Sequence, residues 1–306
     1  MNKQVVQFGR KDFLAGIAAS AALWLAPRSA VAQGSAAPLT REQIAAILAS
    51  PDRGAADLTN DRRRKPADML AFIGIRPGIT ALDISAGGGY TTELLARAIG
   101  PTGKVYGQGR PANAPRPAPP AAPEGNSHPN VTQATPPPAT QAPATPAPAA
   151  TAPRTVTTIL TDRAEKMRAA GIQAAPITAV QQPFEDPVPA DMADGRFDLV
   201  TLIFNYHDLG HLGVDRAPMN RAVFRALKSG GMYVIADHAG RPGTGISESG
   251  TLHRIEEAFL RREVEAAGFR LAEEGSFLRN PNDPKDKNTP DPAQPKDEFV
   301  LKFVKP

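Results

Sequence analysis

Four of the five histidines of this chain fall between residues 207 and 253, and two of them stand directly beside aspartates. His207 and His211 flank Asp208 in Asn205-Tyr206-His207-Asp208-Leu209-Gly210-His211, directly after "FDLVTLIF". His238 follows Asp237 at the end of "MYVIAD", and His253 lies further on, beside Arg254. An imidazole next to a carboxylate can accept a proton from a hydroxyl or amine near neutral pH. His207, Asp208 and His238 are therefore the catalytic candidates. Asp208 and Asp237 would orient the rings or bind a cationic substrate. Tyr206 would form a pocket wall, His211 and His253 would line the same region, and Arg254 or Arg262 would meet an anionic substrate group. The same residues suit a second chemistry. His207 and His211, four residues apart, could bind a metal with Asp208, Asp237 or His238 completing a mixed N/O shell. That pair converges only on a helix, and Gly210 lies between them, so no metal is assigned. His128 falls in a proline-rich stretch.

A second constellation is the stretch "ALDISAGGGYTTELLARAIG", residues 81–100. A short apolar run leads into glycines, and a helical pattern follows. Glycines in a strand-to-helix turn let a ligand approach the backbone, where the helix offers free N–H groups. No lysine follows as in a P-loop, and the spacing is not Gly-x-Gly-x-x-Gly.

These residues resemble motif I of class I S-adenosylmethionine-dependent methyltransferases, an acid followed by Gly-x-Gly-x-Gly. Asp83 matches the acid, Ser85 replaces the first glycine, and Gly87 and Gly89 match the others. "FDLVTLIFNYHDL" resembles the fourth-strand motif, and "VFRALKSGGMYVIADH" the helix, turn and fifth strand after it. With "LHRIEEAFLRREVEAAGF" and "FLRNPNDPKD", the chain is similar to an exported group of methyltransferase-like proteins. The resemblance covers residues 40–306 apart from the proline-rich stretch. It implies S-adenosylmethionine as cofactor and methyl transfer to a small molecule. It places the ribose-binding acid at the end of the second strand, where this chain has Gln108-Gly109 and no acid. Gln108 can make single hydrogen bonds there but offers no bidentate carboxylate. It places the adenine loop at "AVQQPFEDP", where Gln182, with Gln181 and Phe184, is the expected contact. Two alternatives stay open: a non-catalytic relative binding a ligand or protein, and a metal-dependent hydrolase built on the His/Asp cluster.

The elements that would position these groups are legible from periodicity. Thr40 and Gln43 have capping-box spacing before Ile44, Ile47 and Leu48. A helix over 61–73 tolerates Pro66 only near its start. "ITALDI", "KVYG", "AAPITAV", "RFDLVTLIF" and "MYVIAD" read as buried strands. Helices are expected at 161–170, 219–227 and 251–267, the last opened by His253. The alternation predicts an α/β fold, a doubly wound, mostly parallel sheet with helices on both faces. "FRLAEEG" and "EFVLKFVK", with no helix between them, add an antiparallel edge strand. Residues 110–154 contain fourteen prolines and cannot sustain a helix or ladder. They read as a disordered insertion in one domain spanning 38–306.

Residues 1–32 carry a basic lead (Lys3, Arg10, Lys11), a short apolar run from Phe13 to Ala26, and Ala30-Val31-Ala32 at the cleavage positions. This predicts an export signal of secretory or twin-arginine-like type, hence a periplasmic or secreted protein without membrane insertion after signal removal. The whole chain has 35 basic and 31 acidic residues; without the signal, 31 and 30 remain. That balance gives no reason to expect a nucleic-acid partner, and Arg62-Arg63-Arg64-Lys65 reads as a solvated face. Cysteine is absent, which excludes disulfides, thiol nucleophiles and thiolate metal sites.

Overall fold

Thr40 opens the first helix as its spacing predicts. Its hydroxyl accepts from Gln43 N, and the Gln43 side chain accepts from Thr40 N. The computed structural model describes residues 36–111, 154–288 and 294–306. The expected export signal and nearly all of the proline-rich stretch lie outside these residues.

The helices are α1 (Arg41–Leu48), α2 (Ala55–Arg64), α3 (Pro66–Ile73), α4 (Tyr90–Ile99), α5 (Val156–Ala169), α6 (Asp208–His211), α7 (Arg216–Ala226) and α8 (Glu257–Glu265). The strands are β1 (Thr80–Ile84), β2 (Lys104–Gly109), β3 (Ile177–Gln181), β4 (Phe197–Ile203), β5 (Leu227–His238), β6 (Arg270–Gly275) and β7 (Glu298–Val304). The single helix expected over 61–73 is two. Pro66 has no N–H to give and restricts the residue before it, so Lys65 turns to φ 44° and Pro66 starts α3. The helix expected over 251–267 is shorter, beginning at Glu257. His253 precedes it at φ 51°, and Ile255 makes an isolated bridge to Ala239.

The sheet order is β3-β2-β1-β4-β5-β7-β6. β1 to β5 are parallel, while β7 runs antiparallel to both β5 and β6 and forms the antiparallel edge with β6. The chain order reverses between β1 and β4, and ligands of such sheets sit at the carboxyl ends of the strands beside that point. Because β7 is antiparallel, its first residue, Glu298, reaches the same end and pairs with His238.

Two apolar layers cover the sheet, as period-two strands require. Leu82, Val200 and Ile235 pack with Met219, Val223, Leu260 and Val264 of α7 and α8. Ala81, Leu199 and Val234 pack with Ile44, Leu70, Leu95 and Ile99 of α1, α3 and α4. Helix α5 lies so close to β2 that a Cβ on Gly107 would stand 2.4 Å from Leu160 Cδ1. Gly107→Ala is expected to destabilise the protein by about 1–3 kcal/mol through overpacking. Chemical denaturation with an unchanged slope and a lower midpoint would register it.

Candidate functional site at the carboxyl ends of the strands

The glycine corner is held from beneath. Asp83 is buried at the end of β1, and its carboxylate accepts from Thr92 Oγ1 at 2.6 Å and Thr201 Oγ1 at 2.8 Å. Burial raises its pKa to about 6, against the pull of the two hydroxyls. Asp83 therefore fixes the turn and has no free oxygen facing a ligand. Ser85 follows at φ 59°. Its N–H donates to Gln108 Oε1 at 2.9 Å, and Gln108 Nε2 donates to Gln182 O at 2.7 Å. Gln108 is fully buried, and both ends of its carboxamide are spent on the backbone. It braces β1 against the loop after β3, which corrects its expected contact with a ribose. The Gln182 side chain is half-buried beside it, and Phe184 is buried in the core.

The glycines divide the work. A Cβ on Gly89 would lie 2.7 Å from Arg163 Cδ and 2.8 Å from Leu160 Cδ2. Gly89 therefore packs against α5, not against a ligand as expected. Gly87 and Gly88 are exposed; a Cβ on Gly88 would meet nothing within 4 Å, and one on Gly87 only Ser85 O at 3.7 Å. The open face is Gly87-Gly88, and Gly88 escaped the sequence reading because the motif counts alternate glycines. Arg163 Nε donates to Gly88 O at 2.6 Å, and its other nitrogens pair with Asp57 and Glu93.

Helix α2 is tied to this corner. Besides the Asp57–Arg163 pair, Asp61 accepts from Arg53 and from Tyr90 Oη. The run Arg62-Arg63-Arg64-Lys65 is thus carried onto the site and is not merely a solvated face. Arg63 and Arg64 stand over the Phe204 ring at 4.8 and 5.0 Å, and Arg64 lies 5.3 Å from the Tyr90 ring. Arg64 Nε is buried without a hydrogen-bond partner, and burial with the charge of Arg63 lowers its pKa.

Beyond β4 the chain turns at Phe204, with φ 62°, into α6. His207 already has helical dihedrals, so His207 and His211 stand one turn apart. Gly210 is what permits this packing, since a Cβ there would stand 2.7 Å from Ile246 Cγ1 and 2.8 Å from Ser249 Oγ. Ser249 Oγ donates to His207 O at 2.5 Å and bonds His211 at its N–H and Nδ1. Asp237, fully buried, accepts from His207 N at 2.7 Å, His207 Nδ1 at 2.6 Å and His238 N at 2.8 Å. His207 Nε2 faces Asp208 Oδ1 at 3.0 Å, and His253 Nδ1 meets the same oxygen at 3.1 Å. The four histidines do share one region, with ring centroids 5.2 to 5.6 Å apart in sequence from His238 through His207 and His253 to His211.

Their protonation states differ. Burial opposes charge on His207, but Asp237 and Asp208 outweigh it and raise its pKa to about 9. The same contact holds Asp208 well below the usual carboxylate range despite burial. Burial lowers His238 to about 3 against the attraction of Asp237, so its ring is neutral. His238 stacks on Phe204 at 5.4 Å, and its Nδ1 lies 2.9 Å from Glu298 Oε1 without hydrogen-bond alignment. Burial raises Glu298 to about 7, although Arg63 at 3.0 Å opposes the rise.

Glu298 was missed by sequence reasoning. The acid in "KDEFV" looks like strand-edge polarity until antiparallel pairing sets it beside His238. Next to it opens a cavity of about 560 Å3 lined by Arg62, Arg63, Lys65, Arg279, Lys296 and Glu298. Burial and the charge of Arg254 bring Lys296 down to about 8.

Three expected substrate contacts are structural. Tyr206 is fully buried, its hydroxyl between Asn220 at 2.9 Å and Glu263 at 3.0 Å. Arg254 is fully buried, paired with both Asp283 oxygens and donating to Ala239 O. Asp237 is saturated by its three donors and cannot meet a cationic substrate.

A carboxyl raised from 4.5 to about 7 binds more protons in the native state across that window. Its contribution to stability is complete below pH 4.5 and is lost as pH rises through 7. Glu298→Gln is therefore expected to flatten the decline of the thermal midpoint from about pH 5 to 8, measured by calorimetry at matched ionic strength.

No protein-family model matches the chain, and no curated protein matches it. Among solved structures it is similar to a SAM-dependent methyltransferase from Aquifex aeolicus, at 16% identity and TM-score 0.48, over 87% of this chain and 98% of that one. It is also similar to a TehB-like SAM-dependent methyltransferase from Corynebacterium glutamicum, at 14% and 0.43, over 82% and 99%. A third is an arsenic(III) S-adenosylmethionine methyltransferase from Chlamydomonas reinhardtii, at 16% and 0.43, over 74% and 63%. The strand order, rather than these partial likenesses, carries the class I methyltransferase-like fold that the motifs imply.

Proposed function

We propose that the protein transfers a methyl group from S-adenosylmethionine to a small anionic acceptor. The observation behind this reading is the open Gly87-Gly88 face at the switch point, on the same sheet end as the Glu298–His238 pair and its basic cavity. The residues fit the cofactor in part. Gly87 and Gly88 would let it approach the backbone, with Gln182 at the adenine side. Arg64, half-buried and with its buried Nε unpartnered, would pair with its carboxylate. The ribose edge lacks an acid, and Gln108 is occupied, so this edge contributes little affinity.

When bound, S-adenosylmethionine supplies an electrophilic methyl group on a sulfonium. The chain's own residues then position the acceptor and remove its proton. Arg62, Lys65 and Arg279 would hold its negative charge in the cavity. Glu298, titrating near 7, would accept the proton from the acceptor hydroxyl or amine. Arg63, which donates to Glu298 Oε1 at 3.0 Å, would orient that carboxylate, with the neutral His238 ring beside it. His207 carries its own proton at neutral pH and serves to fix the loop. Asp208 balances that charge.

The expected test outcome is label transfer from methyl-tritiated cofactor to small organic acids. Glu298→Gln should lower kcat by about 100-fold with little change in cofactor KM. Full activity of that variant would remove Glu298 from the mechanism. A second reading, a ligand-binding relative without turnover, draws on the commitment of Gln108, and binding without any label transfer would support it. The signal-like residues 1–32 support a periplasmic or secreted location. No helix among the described residues is long and apolar enough to cross a membrane.

A further inference from the structure

His207, Asp208 and His253 present ligand atoms that all lie within 4.8 Å of one another. Several features aim them. The Nδ1 of His207 is committed to buried Asp237 at 2.6 Å, so the ring turns Nε2 toward Asp208. A carboxylate behind an imidazole is the usual arrangement for fixing the orientation and tautomer of a metal-binding histidine. Ser249 and Asp237 also clamp the His207 backbone. His253 is held at φ 51°, a conformation unfavourable for a residue with a Cβ, and this brings Nδ1 to 3.1 Å from Asp208 Oδ1. His211 Nδ1 stands 3.9 Å from that oxygen. The cluster is reachable, because the Asp208 and His253 side chains are 25% and 33% exposed.

We propose that His207 Nε2, Asp208 and His253 Nδ1 bind one divalent transition-metal ion at the carboxyl end of β4, the ion displacing the proton that Nε2 carries in the metal-free chain. Two imidazole nitrogens and one carboxylate oxygen suit zinc, iron(II), cobalt(II) or nickel(II) better than magnesium or calcium. Three protein ligands leave coordination positions for water or a substrate group. The helical one-turn spacing that the sequence left in question is present, but the pair completing the site is His207 with His253, not His207 with His211. The site stands independently of cofactor binding, and its test uses no cofactor.

The experiment is titration of the chelator-stripped full chain with cobalt(II), followed by visible ligand-field absorption, and dialysis against zinc(II) with elemental analysis. One ion per chain is expected. His253→Ala and Asp208→Asn should each weaken binding by at least about 10-fold, and Asp237→Asn by about 10- to 100-fold. Glu165→Gln, exposed on α5 and outside the cluster, should bind as the parent does. Circular dichroism melts show whether each variant is folded; partly exposed His253 makes His253→Ala the decisive one. No uptake at roughly millimolar cobalt, or uptake unchanged in folded His253→Ala, overturns the site.

Discussion

Asp237 has no exposed surface, and its two oxygens take three N–H donors from His207 and His238. A buried carboxylate is costly unless it is hydrogen-bonded and faced by charge. Here the compensation comes from the backbone leaving β4, the His207 ring and the backbone ending β5. Meeting that requirement draws the two strand ends together. It fixes the His207 ring, brings His238 against Phe204, and leaves Asp208 to balance the outer nitrogen of His207. Removing the Asp237 carboxylate would leave buried donors unsatisfied on both strands.

The glycine corner obeys a similar constraint with a different outcome. Asp83 is also buried, but its hydrogen-bond partners are neutral hydroxyls, which do not offset the rise that burial imposes on its pKa. Its role is to hold β1, α4 and β4 in register so that Gly87 and Gly88 project. Arg163 then locks the far side of the turn to α2 and α5. The same ion pairs carry the Arg62–Lys65 run over the strand ends. One set of structural interactions thus creates both an open backbone face and a basic wall. Gln108 shows the alternative use of a ligand-edge position, as a brace between loops.

Most of the fold was legible because its strands are short, apolar and separated by helical periodicity. Asp83, Thr40 and the glycine turn are local features that spacing alone exposes. The histidine region was legible as well, since a parallel sheet gathers its carboxyl ends. What the sequence hid depends on long-range pairing. Glu298 reaches the site only through the antiparallel register of β7. The break at Lys65 and the late start of α8 reflect backbone conformations that apolar periodicity does not report. Tyr206 and Arg254 look available in a motif, yet Glu263 and Asp283, distant in sequence, claim them. Gly89 and Gly210 serve packing against α5 and the Ile246–Ser249 loop, a distinction visible only when the opposing side chains are in place.

The proposed function requires the Gly87-Gly88 face to hold the adenosyl and amino-acid parts that S-adenosylmethionine shares with S-adenosylhomocysteine. Calorimetric titration of the wild-type chain and of Gly87→Trp with S-adenosylhomocysteine addresses it directly. Binding in roughly the micromolar range by the wild type, lost in a variant that melts as cooperatively, is the expected result. Equal affinity in both chains, or no heat in either at about millimolar ligand, would contradict it.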